Sequence, residues 1–90
     1  MGEAFDLMFA TMQGEIDKLF TKDVKPAEKI AFDAEMKAMR ESVRQNRISV
    51  DRLQPVLRTL RDVVSDERVT PAETQQLTEE IRELNRTAKR

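Results

Sequence analysis

Carboxylates are the side chains of this sequence best placed for chemistry, and they form two clusters. One cluster comprises Glu79, Glu80 and Glu83, and the other comprises Asp62, Asp66 and Glu67. The 90-residue chain contains no His and no Cys, so it lacks the commonest general base, the commonest transition-metal ligands and any thiolate nucleophile. A ferritin-like pair of metal ions would need Glu-x-x-His motifs. We therefore predict no metal site at either cluster.

Arginines follow two of these acids at helical spacing. Arg82 comes three residues after Glu79, and Arg86 comes three residues after Glu83, which is typical of opposite charges paired on a solvated helix face. The serines offer no nucleophile, because only distant Lys side chains are available to activate them. The two glycines cannot form a phosphate-binding loop. The sequence therefore predicts a protein that is not an enzyme and has no cofactor.

Two segments have the length of a calcium-binding loop between helices. Residues 62–73 begin with Asp and end with Glu, and residues 17–28 align with them in the same way. In the first segment the third position, which should supply a ligand, is Val64, and the sixth position, which requires glycine, is Glu67. The second segment departs from the pattern at the same positions. A degenerate EF-hand-like helical pair is kept as a further alternative.

Charge is nearly balanced over the whole chain but not along it. The 16 Lys and Arg residues against 17 Asp and Glu residues give a formal net charge of −1. The middle of the chain uses arginine alone as its cation, and Arg40, Arg44 and Arg47 share one helix face, as do Arg58 and Arg61. Arginine recognises phosphate and carboxylate through paired hydrogen bonds, although no aromatic residue accompanies it here for base stacking. Nucleic-acid binding through residues 40–61 is therefore an alternative function, and a solvated or internally paired face is the other interpretation.

Apolar residues recur at intervals of three and four along the chain, which predicts helices throughout. Thr70 and Glu73 have the spacing of a capping box, and Pro26 suits the first turn of a helix. The predicted helices cover about 3–22, 26–46, 50–66 and 70–88. We predict one all-α domain over residues 1–90, a small bundle of four amphipathic helices arranged as two antiparallel helical hairpins.

Pro55 complicates the third of these helices. A proline inside a helix removes one hydrogen bond, and it pushes the preceding residue, Gln54, toward extended backbone. The sequence leaves two interpretations open: a helix kinked in its second turn, or a helix that begins anew near Gln54.

The large apolar residues are concentrated in the first half of the chain. All four Phe and all five Met fall within residues 1–39. In the first helix, five apolar side chains exceed one helix face; they are Phe5, Leu7, Met8, Phe9 and Met12. Methionine adapts its shape and is frequent at surfaces that accept varied partners. We predict that these residues form an interface, and the other interpretation is that they fill the core of the monomer.

These observations favour a non-catalytic protein–protein interaction or assembly module. The expected partner is another protein or a second copy of the chain, and nucleic acid is the alternative. No apolar run approaches the ~18 residues of a membrane-spanning helix, and the N-terminus does not resemble a secretory signal. We expect no membrane partner, and we expect a cytoplasmic location.

Overall fold

The computed structural model describes residues 2–88 and consists of four α-helices in these residues. They are α1 (Gly2–Leu19), α2 (Pro26–Arg44), α3 (Val50–Ser65) and α4 (Pro71–Arg86). The predicted all-α class is confirmed, and each helix lies within about three residues of its predicted bounds. The terminal residues of the predicted 1–90 domain, Met1, Lys89 and Arg90, lie outside the described residues.

The largest difference in helix ends is at α1, which stops at Leu19 instead of residue 22. There the chain leaves the helix to form a parallel bridge between Phe20 and Val69. The Val69 N–H donates to the Leu19 carbonyl at 2.8 Å, and the Thr21 N–H donates to the Val69 carbonyl at 3.0 Å. Backbone groups that would have extended α1 are therefore satisfied by the segment between α3 and α4.

The four helices form a ring in the order α1, α2, α4, α3. Helix α1 contacts α2 and α3, and helix α4 contacts α2 and α3, whereas neither diagonal pair of helices is in contact within residues 2–88. Contacts between α2 and α4 pair Glu35 with Arg82 and Asn85, and contacts between α3 and α4 pair Arg52 with Thr87. Residues at the start of α2 also line a common pocket with residues at the start of α4, so α2 and α4 run parallel. The start of α3 meets the end of α4 through Arg52 and Thr87, so α3 and α4 run antiparallel.

Asp6 at the start of α1 meets Arg40 near the end of α2, and Gln13 meets Asp33 in the middle, so α1 and α2 run antiparallel. The bundle thus consists of two antiparallel hairpins, as predicted.

The core occupies the centre of this ring and is built from the apolar stripes that define the helices. Its fully buried apolar side chains come from all four helices and from the segment that precedes α4; they are Phe9, Ile16, Phe32, Met36, Met39, Leu60, Val69, Leu77 and Ile81. The rings of Phe20 and Phe32 meet edge to face with 5.9 Å between their centroids. Helical spacing therefore identified the buried faces correctly.

Capping explains where α4 and α2 begin. Thr70 Oγ1 accepts from the Glu73 N–H at 3.3 Å, and Glu73 Oε1 accepts from the Thr70 N–H at 3.2 Å, so the predicted capping box is confirmed. At α2, Glu28 Oε1 accepts from the Lys25 N–H at 3.3 Å. Lysine has no acceptor to complete the reciprocal bond, so this cap has only one half of the box.

Pro55 lies inside α3, which continues through it from Val50 to Ser65. Of the two interpretations that the sequence left open, the one in which the helix begins anew near Gln54 is therefore wrong. The helix begins earlier because Ile48 and Leu53, on either side of its first turn, are both buried in the core and hold that turn in place. The carbonyl of Asp51, four residues before Pro55, receives no intrahelical hydrogen bond from the proline nitrogen.

The loops do not follow the alignment that suggested a calcium-binding pair. Val69 forms its bridge with Phe20 and not with Val24, the residue that corresponds to it in that alignment. Within residues 2–88, no group of three or more acidic side chains is arranged to hold a metal ion. Among the four described helices, none is both long enough and apolar enough to cross a bilayer.

Candidate functional site

The apolar residues predicted to form an interface on α1 divide among three environments. Phe9 is fully buried in the core, because it lies in the middle of the stripe that faces the centre of the ring. This burial corrects its assignment to the interface. Phe5 and Met12 are partly buried and pack against the core, Met8 is partly buried, and Leu7 is 69 % exposed on the outer side of α1.

A groove of about 460 Å³ separates α1 from α3. Its apolar walls consist of two side chains from each helix; they are Met8 and Met12 from α1, and Leu57 and Val64 from α3. Each of these side chains is only partly buried. The groove thus joins two of the predicted interface residues to two residues of α3 that the sequence could not connect to them.

Helical geometry places these four residues at the edge of the core and not within it. Met8 and Met12 are four residues apart and lie beside the Phe9 and Ile16 stripe, on the side of α1 that faces α3. Leu57 flanks the buried residue Leu60 in the same manner on α3. Their side chains therefore contact the core on one side and face the groove on the other.

The rim of the groove carries one charge of each sign. Glu15 lies on the α1 side and Arg61 on the α3 side, and both are exposed. Neither belongs to an ion pair among the described residues. Arg61 was assigned from the sequence to a basic face, and in the structure it borders this apolar groove.

The opposite side of α1, which faces α2, is closed by polar contacts. Arg40 Nε donates to Asp6 Oδ1 at 2.8 Å, and Arg40 Nη1 donates to Gln13 Oε1 at 3.3 Å. Gln13 Nε2 donates in turn to Asp33 Oδ1 at 3.1 Å. Arg44 Nε lies 4.0 Å from Asp6 Oδ2. We call this network of five residues the polar seam, and it shows that Arg40 and Arg44 are engaged within the chain.

The three remaining arginines of the predicted basic face are exposed. Arg47 lies between α2 and α3, and Arg58 and Arg61 lie on α3. Because α2 and α3 do not contact each other within residues 2–88, the predicted face is divided between two separate helices. Nucleic-acid binding through these residues stays a prediction.

A carboxyl pair at the α1–α2 boundary was not found from the sequence. Asp17 of α1 faces Asp33, whose side chain belongs to the polar seam. Partial burial raises the pKa of Asp17 from 3.8 to about 6, and the charge of Asp33 and a hydrogen bond with it act in the same direction, whereas Lys29 opposes the shift. Asp17 therefore takes up a proton near pH 6. The two acids lie on different helices, which no spacing along the chain could reveal.

The acidic cluster of α4 is paired differently from the prediction. Arg86 Nη2 does contact Glu83 at 2.8 Å, but Arg82 Nε contacts Glu35 of α2 at 3.0 Å instead of Glu79. Arg82 turns toward α2 because these two helices pack side by side, and Glu35 is within reach. Glu79 and Glu80 remain at a second groove, between α3 and α4, which sequence analysis did not anticipate.

The arrangement at the α1–α3 groove can bury apolar side chains of a ligand. Comparison of the chain with known proteins finds no matching family model, no matching curated protein and no matching solved structure.

Proposed function

We propose that the chain is a non-catalytic protein–protein interaction or assembly module that binds its partner in the α1–α3 groove. The observation that carries this proposal is the groove of about 460 Å³ whose walls are four partly buried apolar side chains. The partner is a second copy of the chain or a segment of another protein. The proposal places the protein in the cytoplasm, which fractionation of the native host would test.

The physical basis is the apolar surface that the bundle leaves uncovered. Fully burying a Met or Leu side chain contributes ~1.5–3 kcal/mol, so a partner that covers the groove gains from each wall residue it contacts. Met8 and Met12 can change their rotamers to fit that partner, because methionine is unbranched and flexible. Glu15 and Arg61 at the rim, which form no ion pair among the described residues, would fix its orientation by charge.

A substitution in the groove and a matched substitution outside it test the proposal. Met8→Glu places a charge on the groove wall, whereas Leu7→Glu places the same charge on the outer side of the same helix, where Leu7 is already 69 % exposed. Light scattering over a concentration series measures self-association, and capture from native-host lysate detects other partners. We expect Met8→Glu to weaken the complex that Leu7→Glu retains.

The proposal fails in two circumstances. In the first, the wild-type chain is monomeric at every concentration and retains no protein that Met8→Glu loses. In the second, Leu7→Glu disrupts the complex as strongly as Met8→Glu, which would place the interface on the outer side of α1. Circular dichroism of both variants confirms that each is folded before the comparison is made.

A further inference from the structure

A second groove, of about 640 Å³, lies between α3 and α4, on the other flank of α3 from the site proposed above. Its apolar part is formed by Pro55, Val56 and Leu84. Its acidic wall is formed by Glu79, Glu80 and Glu83 of α4. The groove thus combines an apolar floor with carboxylates along one side.

Pro55 is unusual because it stands inside α3 and breaks a rule of helix construction. Proline in a helix interior forfeits a hydrogen bond and is far less favourable there than alanine. Such local violations tend to occur where a side chain serves function. Here the proline ring lines the groove, so the residue that breaks the rule also forms part of the site.

Within the described residues, the bundle neutralises only one of the three carboxylates of the acidic wall. Among the described residues, Glu79 and Glu80 belong to no ion pair, and Glu80 Oε2 is buried without a hydrogen-bond partner. Glu83 is paired with Arg86. Arg52 also lines the groove, and its guanidinium donates hydrogen bonds to the carbonyl and hydroxyl of Thr87 at one end of the groove.

We infer that the α3–α4 groove binds a basic segment of another protein, in which an apolar side chain is flanked by Lys or Arg. The apolar side chain packs against Pro55, Val56 and Leu84, and the flanking cations lie along the carboxylates of α4. An acidic segment would place like charges together and is excluded by repulsion. This site does not depend on the α1–α3 groove, so the two can be occupied together.

The first test uses a fluorescein-labelled peptide in which one Leu is flanked by Lys residues, and a second peptide in which Glu replaces each Lys. Fluorescence anisotropy measures the affinity of the full chain for each. We expect the wild type to bind the Lys peptide and not the Glu peptide. Glu80→Gln should weaken the binding about tenfold, because a charge-assisted contact is replaced by a neutral one.

The matched control is Glu3→Gln, which removes the same charge from the exposed first turn of α1, outside the groove. We expect its affinity for the Lys peptide to equal that of the wild type. Equal weakening by Glu80→Gln and Glu3→Gln would show that only net charge attracts the peptide, and it would overturn the inference. Equal binding of the Lys and Glu peptides, or no binding of the Lys peptide, would overturn it as well.

A second variant separates binding from folding. Pro55→Ala restores the missing hydrogen bond and removes the ring. It should therefore raise the thermal midpoint of unfolding and weaken the binding of the Lys peptide several-fold. A mere loss of structure cannot produce that combination. If Pro55→Ala is more stable and binds the peptide as well as the wild type, the proline does not form part of a binding site. Failure of these tests leaves the α1–α3 proposal unaffected.

Discussion

The two flanks of α1 contact their neighbouring helices in opposite ways. Toward α2, the polar seam joins the helices through directional contacts such as Arg40 to Asp6 at 2.8 Å. Toward α3, the helices enclose a groove lined by Met8 and Met12, with charges at the rim that remain unpaired among the described residues. One helix can therefore be fixed in place by a few polar contacts on one side while its apolar surface on the other side stays available.

Truncation of a core side chain should have the largest effect on stability. On α3 it should distinguish a core residue from a residue of the groove wall. Leu60 is fully buried, whereas Leu57 is partly buried and lines the groove. We expect Leu60→Ala to lower the free energy of unfolding by ~2–5 kcal/mol. Leu57→Ala should cost only about 1 kcal/mol, because its methyl groups already face open space. Urea denaturation of both variants checks this, and equal losses would show that the groove wall is ordinary core.

The polar seam should contribute less than the core but more than a surface ion pair. Asp6→Ala removes the partner of Arg40 in a partly buried position, so we expect a loss of about 1 kcal/mol. The control is Glu41→Ala, since its pair with Arg44 is more exposed and should contribute only about 0.3 kcal/mol. A double-mutant cycle of Asp6 with Arg40 measures the coupling. Absence of coupling would mean that the seam does not hold α1.

The Asp17 carboxyl should make the α1–α2 contact sensitive to pH. Its pKa is about 6 in the folded protein against 3.8 for the free side chain, so the folded state binds more protons between these values. Stability therefore falls as the pH rises from about 4 to about 6. Because the group is largely exposed, we expect Asp17→Asn to stabilise the protein at pH 7 by only about 0.5 kcal/mol.

That gain should disappear below about pH 4, where the wild-type carboxyl is already protonated. Thermal midpoints over a pH series measure it, with Asp62→Asn on the surface of α3 as the control. A gain from Asp17→Asn that is independent of pH would contradict the raised pKa of Asp17 as its cause.

Substitution of the exposed arginines should have the smallest effect, and the property measured is nucleic-acid binding. Since Arg40 and Arg44 are held by Asp6, we expect little binding of duplex DNA or single-stranded RNA at low salt. The double variant with Arg58→Gln and Arg61→Gln should give the same fluorescence anisotropy as the wild type. Binding that falls steeply with salt and is lost in the double variant would favour the nucleic-acid alternative over the protein-binding module.

The apolar stripes in the sequence predicted the four helices well, because each stripe depends only on its own helix. Spacing shows that Phe9 and Ile16 share a face, and capping chemistry shows where α4 begins. Neither pattern shows which helix face packs against which neighbouring helix. For that reason Phe9 was assigned to an interface although it is core, and Arg82 was assigned to Glu79 although it contacts Glu35.

The two grooves could not be predicted from the sequence for the same reason. Met8 and Leu57 come together only once the ring order α1, α2, α4, α3 is known, and that order depends on contacts between distant residues. The surplus of apolar residues on α1 indicated that some surface would stay uncovered. It did not distinguish Met8, on the groove wall, from Leu7, on the outer side of the helix.

The bridge between Phe20 and Val69 has a consequence for how the molecule unfolds. Its hydrogen bonds join the segment after α1 to the segment before α4, so they connect the two hairpins through the backbone. Opening either hairpin alone would break them and expose Val69, which is fully buried. The amide protons of Thr21 and Val69 should therefore exchange with solvent only through openings that separate the two hairpins, whereas amides in the first turn of α1 exchange through local fraying.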